Sequence, residues 1–334
     1  MNEYKLTVVT TTYNHGKYIE QCLKSILNQK TNFKYKLLVS DDGSTDNTRD
    51  ILKVYQEKYP EKLEVIYNKK NLGAMGNFVH TLNMVHTEYV ALCDGDDYWT
   101  DKNKLQKQVD FLDNNKEYAI CFHQTLIFFE DNSRNSALHP LNLPDKLTLN
   151  DLIKENFIPA NTVVYRWKYK EKDSLKTEFP ENIVPGDYFI HLMHANVGKI
   201  FFINKPMSAY RRQENGMWYL TTQPDKEDEF YLKYGEKYFN FFEQVEIKLD
   251  KPEIYKFQKD YILKKTIQCY VKNRKKTDML RLYNNKYSKY QEIFDLAIMD
   301  LTRKNKIYYY YCLGNKKLFL KTIKHIKYKL IKKV

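Results

Sequence analysis

The chain has 334 residues, 43% hydrophobic and 29% charged, a globular balance with length for one large domain or two units. No apolar run approaches the roughly 20 residues that cross a bilayer, which excludes a membrane-spanning helix. The net charge of +13 would suit nucleic acid if it were spread out, but the eleven Lys or Arg between Arg303 and Lys333 account for all but two of those charges. The basicity belongs to one tail, and no nucleic-acid-binding module accompanies it.

The N-terminal residues lack a basic stretch followed by a long apolar core, so no secretory signal is expected and the chain reads as staying inside the cell. The cysteines, Cys22, Cys93, Cys121, Cys269 and Cys312, are odd in number, far apart and without CxxC spacing, so they read as buried free thiols.

In chain order, short runs rich in Val, Ile, Leu and Tyr predict buried strands at residues 6–12, 35–40, 63–67 and 89–94. Amphipathic helices are predicted at 18–27, 46–58, 76–85 and 104–112; in the first, Ile19, Leu23, Ile26 and Leu27 share one face. Strands separated by helices imply an α/β fold, a mostly parallel sheet with helices on both faces and ligands beyond the carboxyl ends of the strands. Polar residues collect there: TYNHG after the first strand, DDGSTD after the second and DGDDYW after the fourth. Beyond Tyr210 the sequence turns helical and aromatic. The domains are drawn as 1–215, α/β, and 216–334, helical. At the end, Phe319, Ile323, Ile326, Leu330 and Val334 form one stripe with lysines largely outside it. Such a helix reads as a peripheral anchor on an anionic membrane, a partner-binding helix or a solvated edge.

DGDDYW is the sharpest feature, with three carboxylates in four residues after an apolar strand. Clustered carboxylates raise one another's pKa unless a cation neutralises them, and oxygen ligands suit magnesium or manganese, which also bind phosphate oxygens. The plain alternative is an acidic turn ahead of the next helix. In DDGSTDNT, Gly43 makes a turn and Ser44 or Thr45 caps a helix, while Asp42 could accept hydrogen bonds from a base or ribose. Asn14 and Gly16, like Asn71, Gly73 and Asn77, are loop and helix-start residues on their own. His191 and His194 could share a helix face but lack a third ligand. Trp99 could line an acceptor pocket or lie in the core.

Taken in order, TVVTTTYNHGKYIEQCLKSILNQ, SDDGSTDNT, NLGAMGN and ALCDGDDYW resemble the inverting family-two glycosyltransferases of GT-A fold, and GDYFIHLMHANVGKIFFINKPMSAYRRQENG extends the match to about 215 residues. The resemblance implies that Asp42 reads the nucleotide, with Thr11, Tyr13, Asn71 and Asp94 around it. Asp94 and Asp96 would hold ribose and a Mn or Mg ion, and Asp187 would be the catalytic base, kept ionised by a cation such as Arg211. Trp99, Arg211 and Gln213 are candidate diphosphate or acceptor contacts. The sequence departs from the family at Thr11, where Pro is common, and at Gln213, where His is common two residues after the Arg of a YR motif. The implied reaction moves a sugar from a nucleotide diphosphate donor, UDP by preference, to a hydroxyl of a glycan or lipid-linked glycan in capsule or other surface polysaccharide synthesis. The implied location is the cytoplasm, peripheral at the inner face of the membrane. The alternative is a non-catalytic nucleotide-sugar-binding relic held at the membrane by its basic tail.

Overall fold

The apolar runs of the N-terminal third become parallel strands in the computed structural model, which describes residues 3–214, 216 and 218–314. The strands β1 (Leu6–Thr12), β2 (Tyr35–Asp41), β3 (Leu63–Tyr67) and β4 (Tyr89–Leu92) lie in the order β3-β2-β1-β4, all parallel. Near-continuous burial of β1, β2 and β4 explains why their sequences do not alternate with polar residues. The intervening helices are α1 (Ile19–Leu27), α2 (Thr48–Lys58) and α3 (Gly73–Leu82). The last starts three residues before its expected position, because Asn71 Oδ1 accepts a hydrogen bond from the Gly73 N–H and begins the turn early.

Alternation along the strands divides the side chains between two faces. Leu6, Val8, Leu37, Val39, Tyr89 and Ala91 join one core with α1, α2 and α4 (Lys104–Asn114), where Leu23, Ile26, Leu52, Leu105 and Val109 are fully buried. Each such aliphatic side chain contributes roughly 1.5–3 kcal/mol through burial. Ser40 points to the other face, where Asn77 of α3 accepts from its hydroxyl at 2.6 Å and donates to its carbonyl at 3.1 Å.

The sheet then continues in a mixed sense that the sequence pattern did not predict. β9 (Val164–Arg166) is antiparallel to both β4 and β6 (Tyr118–Phe129), and β10 (Lys199–Arg212) runs parallel to β6. β5 (Tyr98–Trp99) lies antiparallel on β10, while the short β7 (Ala137–His139) and β8 (Lys146–Leu147) are antiparallel to β6 and β10 respectively. The helices α5 (Leu149–Lys154), α6 (Ser174–Glu178) and α7 (Gly186–Ala195) fall within this half. The hydrogen bond between Tyr165 of β9 and His191 Nδ1, 2.6 Å, ties α7 to the sheet.

The chain divides into two units, 1–216 and 217–334. The second contains α8 (Glu227–Leu249), α9 (Lys256–Lys272), α10 (Lys276–Met299) and α11 (Arg303–Cys312). Phe239, Phe241, Phe242, Ile262, Leu263 and Ile267 are buried in it. Gly235 brings α8 close to α9, since a Cβ there would stand 2.2 Å from Thr266 Oγ1. A buried ion pair, Lys259 to Glu246 at 2.5 Å, joins the same two helices. None of the described helices is long and apolar enough to cross a membrane. The expected basic helix at 316–334 lies outside the described residues.

Candidate active site

Two loops at the carboxyl ends of β1 and β2 are zipped together by their own polar residues. Asn14, at φ 55°, accepts from the Thr45 N–H through its side chain and donates from its backbone to Ser44 Oγ, both at 2.8 Å. The Gly16 N–H donates to Asp46 Oδ2 at 2.9 Å, and a Cβ on Gly16 would strike the Asn47 amide at 1.8 Å. In this frame Asp42 is buried, its Oδ1 accepting from the Leu72 N–H at 2.8 Å and from the Asn68 amide at 3.2 Å. Asn71 anchors the same corner by donating to the Asp42 carbonyl at 3.0 Å. Its neighbour Asp41 is fully buried against Arg49, 2.5 Å away. Tyr13 stands at the rim, 45% exposed.

The turn after β4 carries the acidic cluster. Thr11 donates to Asp94 Oδ1 at 2.9 Å, and the Gly95 N–H donates to the Thr11 carbonyl. Burial first, then the charges of Asp96 and Asp187, push the Asp94 carboxyl up to about 7. Asp97 turns away from the cluster into the protein, where its Oδ1 accepts from the Arg211 N–H at 2.8 Å; burial holds its pKa well above the usual carboxylate range. Only two of the three acids, Asp94 and Asp96, therefore remain as candidate ligands.

Asp96 is held from β10. Its carbonyl accepts from Arg211 Nε at 2.9 Å, and its Oδ2 accepts from the Gln213 amide at 2.6 Å. The Arg211 guanidinium also pairs with Glu130 at the end of β6 and lies 4.4 Å from the Tyr18 ring and 4.8 Å from the Phe128 ring. A third donor bond goes to Gln21 at 2.9 Å. Arg211 is thus a strut between α1, β6 and the acidic turn.

Asp187 occupies the first turn of α7, with Pro185 rather than Asp187 as the N-cap. Burial raises its carboxyl to about 6, while hydrogen bonds from the helix N–H groups, including Tyr188 N at 2.9 Å, pull the other way.

Two further expectations are settled by burial. Trp99 is a core residue, 4% exposed, donating through Nε1 to the Asn161 carbonyl at 2.9 Å with Lys104 Nζ 3.9 Å from its ring; it is removed from the candidate contacts. His191 and His194 are fully buried with pKa values lowered to about 3, and His194 stacks on Trp167. They are neutral core residues. Glu130 and His15 were missed: Glu130 meets Arg211 across 81 positions, with no local signal, while His15 stood in plain view in a loop motif.

Among the described residues, no group of three or more His, Cys, Asp or Glu is placed to hold a metal ion. The Asp94 and Asp96 pair nevertheless suits a divalent cation. Its negative charge is poorly compensated by the protein, as the raised pKa of Asp94 shows, and magnesium-like ions bind through one or two carboxylates plus phosphate oxygens of a ligand.

A family model described as Glycosyl transferase family 2 matches residues 7–213. An uncharacterized protein of Mycobacterium tuberculosis is 37% identical over 214 residues, 64% of this chain and 60% of that protein. A Bacillus subtilis protein provisionally named teichuronic acid biosynthesis glycosyltransferase TuaG is 34% identical over 159 residues, 48% of this chain and 61% of its own. The chain thus spans about three fifths of the length of these curated relatives. Among solved structures, Staphylococcus aureus TarS 1–349 in complex with UDP-GlcNAc matches with a TM-score of 0.56 at 20% identity, over 97% of this chain and 92% of that one. That likeness is one of fold.

Proposed function

Because the chain belongs to glycosyl transferase family 2, we propose that it moves a sugar from a nucleoside diphosphate donor onto a hydroxyl of a glycan or lipid-linked glycan. The relative named for teichuronic acid biosynthesis supports a role in bacterial surface polysaccharide synthesis. UDP is the proposed nucleotide, being the one the family most often uses. The observation that carries the reading is the construction of the site: the turn after β4 presents Asp94, held by Thr11, and Asp96, held by Gln213, and Asp187 in the first turn of α7 is near enough to Asp94 to act on it electrostatically. A proton acceptor and a cation-binding carboxylate then serve one reacting centre.

Asp42, fixed through Oδ1, would receive the nucleotide base or ribose, with Thr11, Tyr13 and Asp94 along the same edge. A Mn or Mg ion held by Asp94 and Asp96 would neutralise charge on the diphosphate as it leaves. The acceptor hydroxyl gives its proton to Asp187 as its oxygen bonds to the anomeric carbon, and the bond from that carbon to the diphosphate oxygen breaks on the opposite side. Configuration inverts. With its pKa near 6, Asp187 is mostly ionised at neutral pH, as a base must be. Gln213 orients Asp96, and Arg211 fixes the turn that carries it. Peripheral attachment to the inner membrane face through residues 316–334 completes the proposal.

The test is incubation with a panel of nucleotide sugars and Mn2+, scoring free nucleoside diphosphate with and without candidate glycan acceptors. One donor consumed by wild type and spared by Asp96→Ala is the expected result. Absence of both turnover and a nucleotide-dependent thermal shift across the whole panel would overturn the reading.

A further inference from the structure

The acidic turn has a neighbour with no assigned role. His15, in the loop between β1 and α1, places Nε2 4.0 Å from Asp96 Oδ2, with both side chains 18% exposed. That separation is too long for a hydrogen bond. It matches two ligands of one ion: with bonds of about 2.1 Å in octahedral geometry, ligand atoms stand roughly 3 Å apart when adjacent and roughly 4.2 Å when opposite.

Three details support this placement. Gly95, between the two aspartates, has no Cβ; one there would stand 2.9 Å from His15 Nδ1 and 2.7 Å from Thr12 Oγ1, so the glycine is what admits the imidazole over the turn. Nδ1 is buried without a hydrogen-bond partner, as is Thr12 Oγ1, the other polar atom that a Gly95 Cβ would strike. Gln213, finally, presents its amide N–H to Asp96 Oδ2, so at that atom it offers a donor and not a lone pair.

We propose that His15 is the nitrogen ligand of the divalent cation at Asp96, taking from the β1–α1 loop what Gln213 does not supply from the end of β10. The inference rests on the metal-dependent reading above. It makes the protein's own contribution the His15 imidazole and the Asp96 carboxylate, with diphosphate oxygens and water completing the shell.

The experiment uses the full chain loaded with Mn2+ and whichever of UDP, GDP or dTDP binds most tightly with it. Pulsed electron paramagnetic resonance of the Mn2+ complex should show a nitrogen coupling from one imidazole in wild type. That coupling should vanish in His15→Ala and His15→Asn and persist in Gln213→Ala, with Mn2+ affinity about tenfold or more weaker in the His15 variants. Circular dichroism checks that the variants are folded. Should one His15 variant fail to fold, the other decides, and 15N-histidine labelling of wild type reports the same coupling without substitution. A Mn2+ complex of wild type without nitrogen coupling, or a coupling that survives in a folded His15 variant, overturns the assignment while leaving the transferase reading intact. Failure of wild type to bind Mn2+ with any of the three nucleotides overturns metal dependence itself.

Discussion

The corner around Asp42 and the turn around Asp96 both sit at carboxyl ends of parallel strands, on either side of β1, but they are held in opposite ways. Asp42 is fixed by groups within about thirty residues of it, all from the segment that joins β3 to α3. Asp96 is fixed by Arg211 and Gln213, more than a hundred residues later, and Arg211 leans in turn on Glu130. The difference teaches where the fold is self-contained and where it depends on long-range assembly. The corner around Asp42 draws all its hydrogen bonds from the first third of the chain. The acidic turn reaches its working shape only when β10 has docked beside β6.

This contrast can be broken or sharpened experimentally. The largest effect should come from Asp187→Asn, which removes the proposed base and leaves the shape: kcat should fall about 10³-fold in a transfer assay while nucleotide affinity changes little. Arg211→Leu should affect stability as well as rate. The guanidinium is only 8% exposed and donates to the Asp96 carbonyl, Gln21 and Glu130, which keeps Lys17 as its remaining partner, so chemical denaturation should show about 2 kcal/mol less stability. Asp42→Asn should act locally, weakening nucleoside diphosphate binding by roughly ten- to a hundredfold in calorimetry with stability little changed, since one charge-assisted hydrogen bond is worth about 1.5–3 kcal/mol. An equal stability loss at both sites would refute the asymmetry. The smallest effect is a pH response. As the proposed base Asp187 acts in its ionised form, so kcat should fall as pH drops through about 6, by roughly tenfold between pH 7 and pH 5.

Legibility in the sequence followed the same division. The parallel strands β1 to β4 and their polar ends could be read because apolar runs, glycines and acids repeat within short windows. Even there, α3 began earlier than its periodicity suggested, owing to the Asn71 side chain. The antiparallel β9 and the pairing of β6 with β10 left no local trace, because register between remote strands is set by packing. Trp99 carried two readings until burial against Asn161 and Lys104 decided for the core. Asp97 looked identical to its neighbours in the acid cluster, and only the Arg211 N–H distinguishes it. His15 was visible, but its distance to Asp96 is a tertiary fact.

The parallel pairing of β6 with β10 has a consequence during synthesis. About 80 residues separate the partners, so at ~5–20 residues per second β6 leaves the ribosome on the order of 4–16 seconds before β10 exists. Through that interval Cys121 to Phe129, a run dense in Leu, Ile and Phe, presents one unpaired backbone edge. Recombinant yield should therefore depend on translation speed and chaperone supply, and the nascent chain is most prone to aggregate between completion of β6 and arrival of β10.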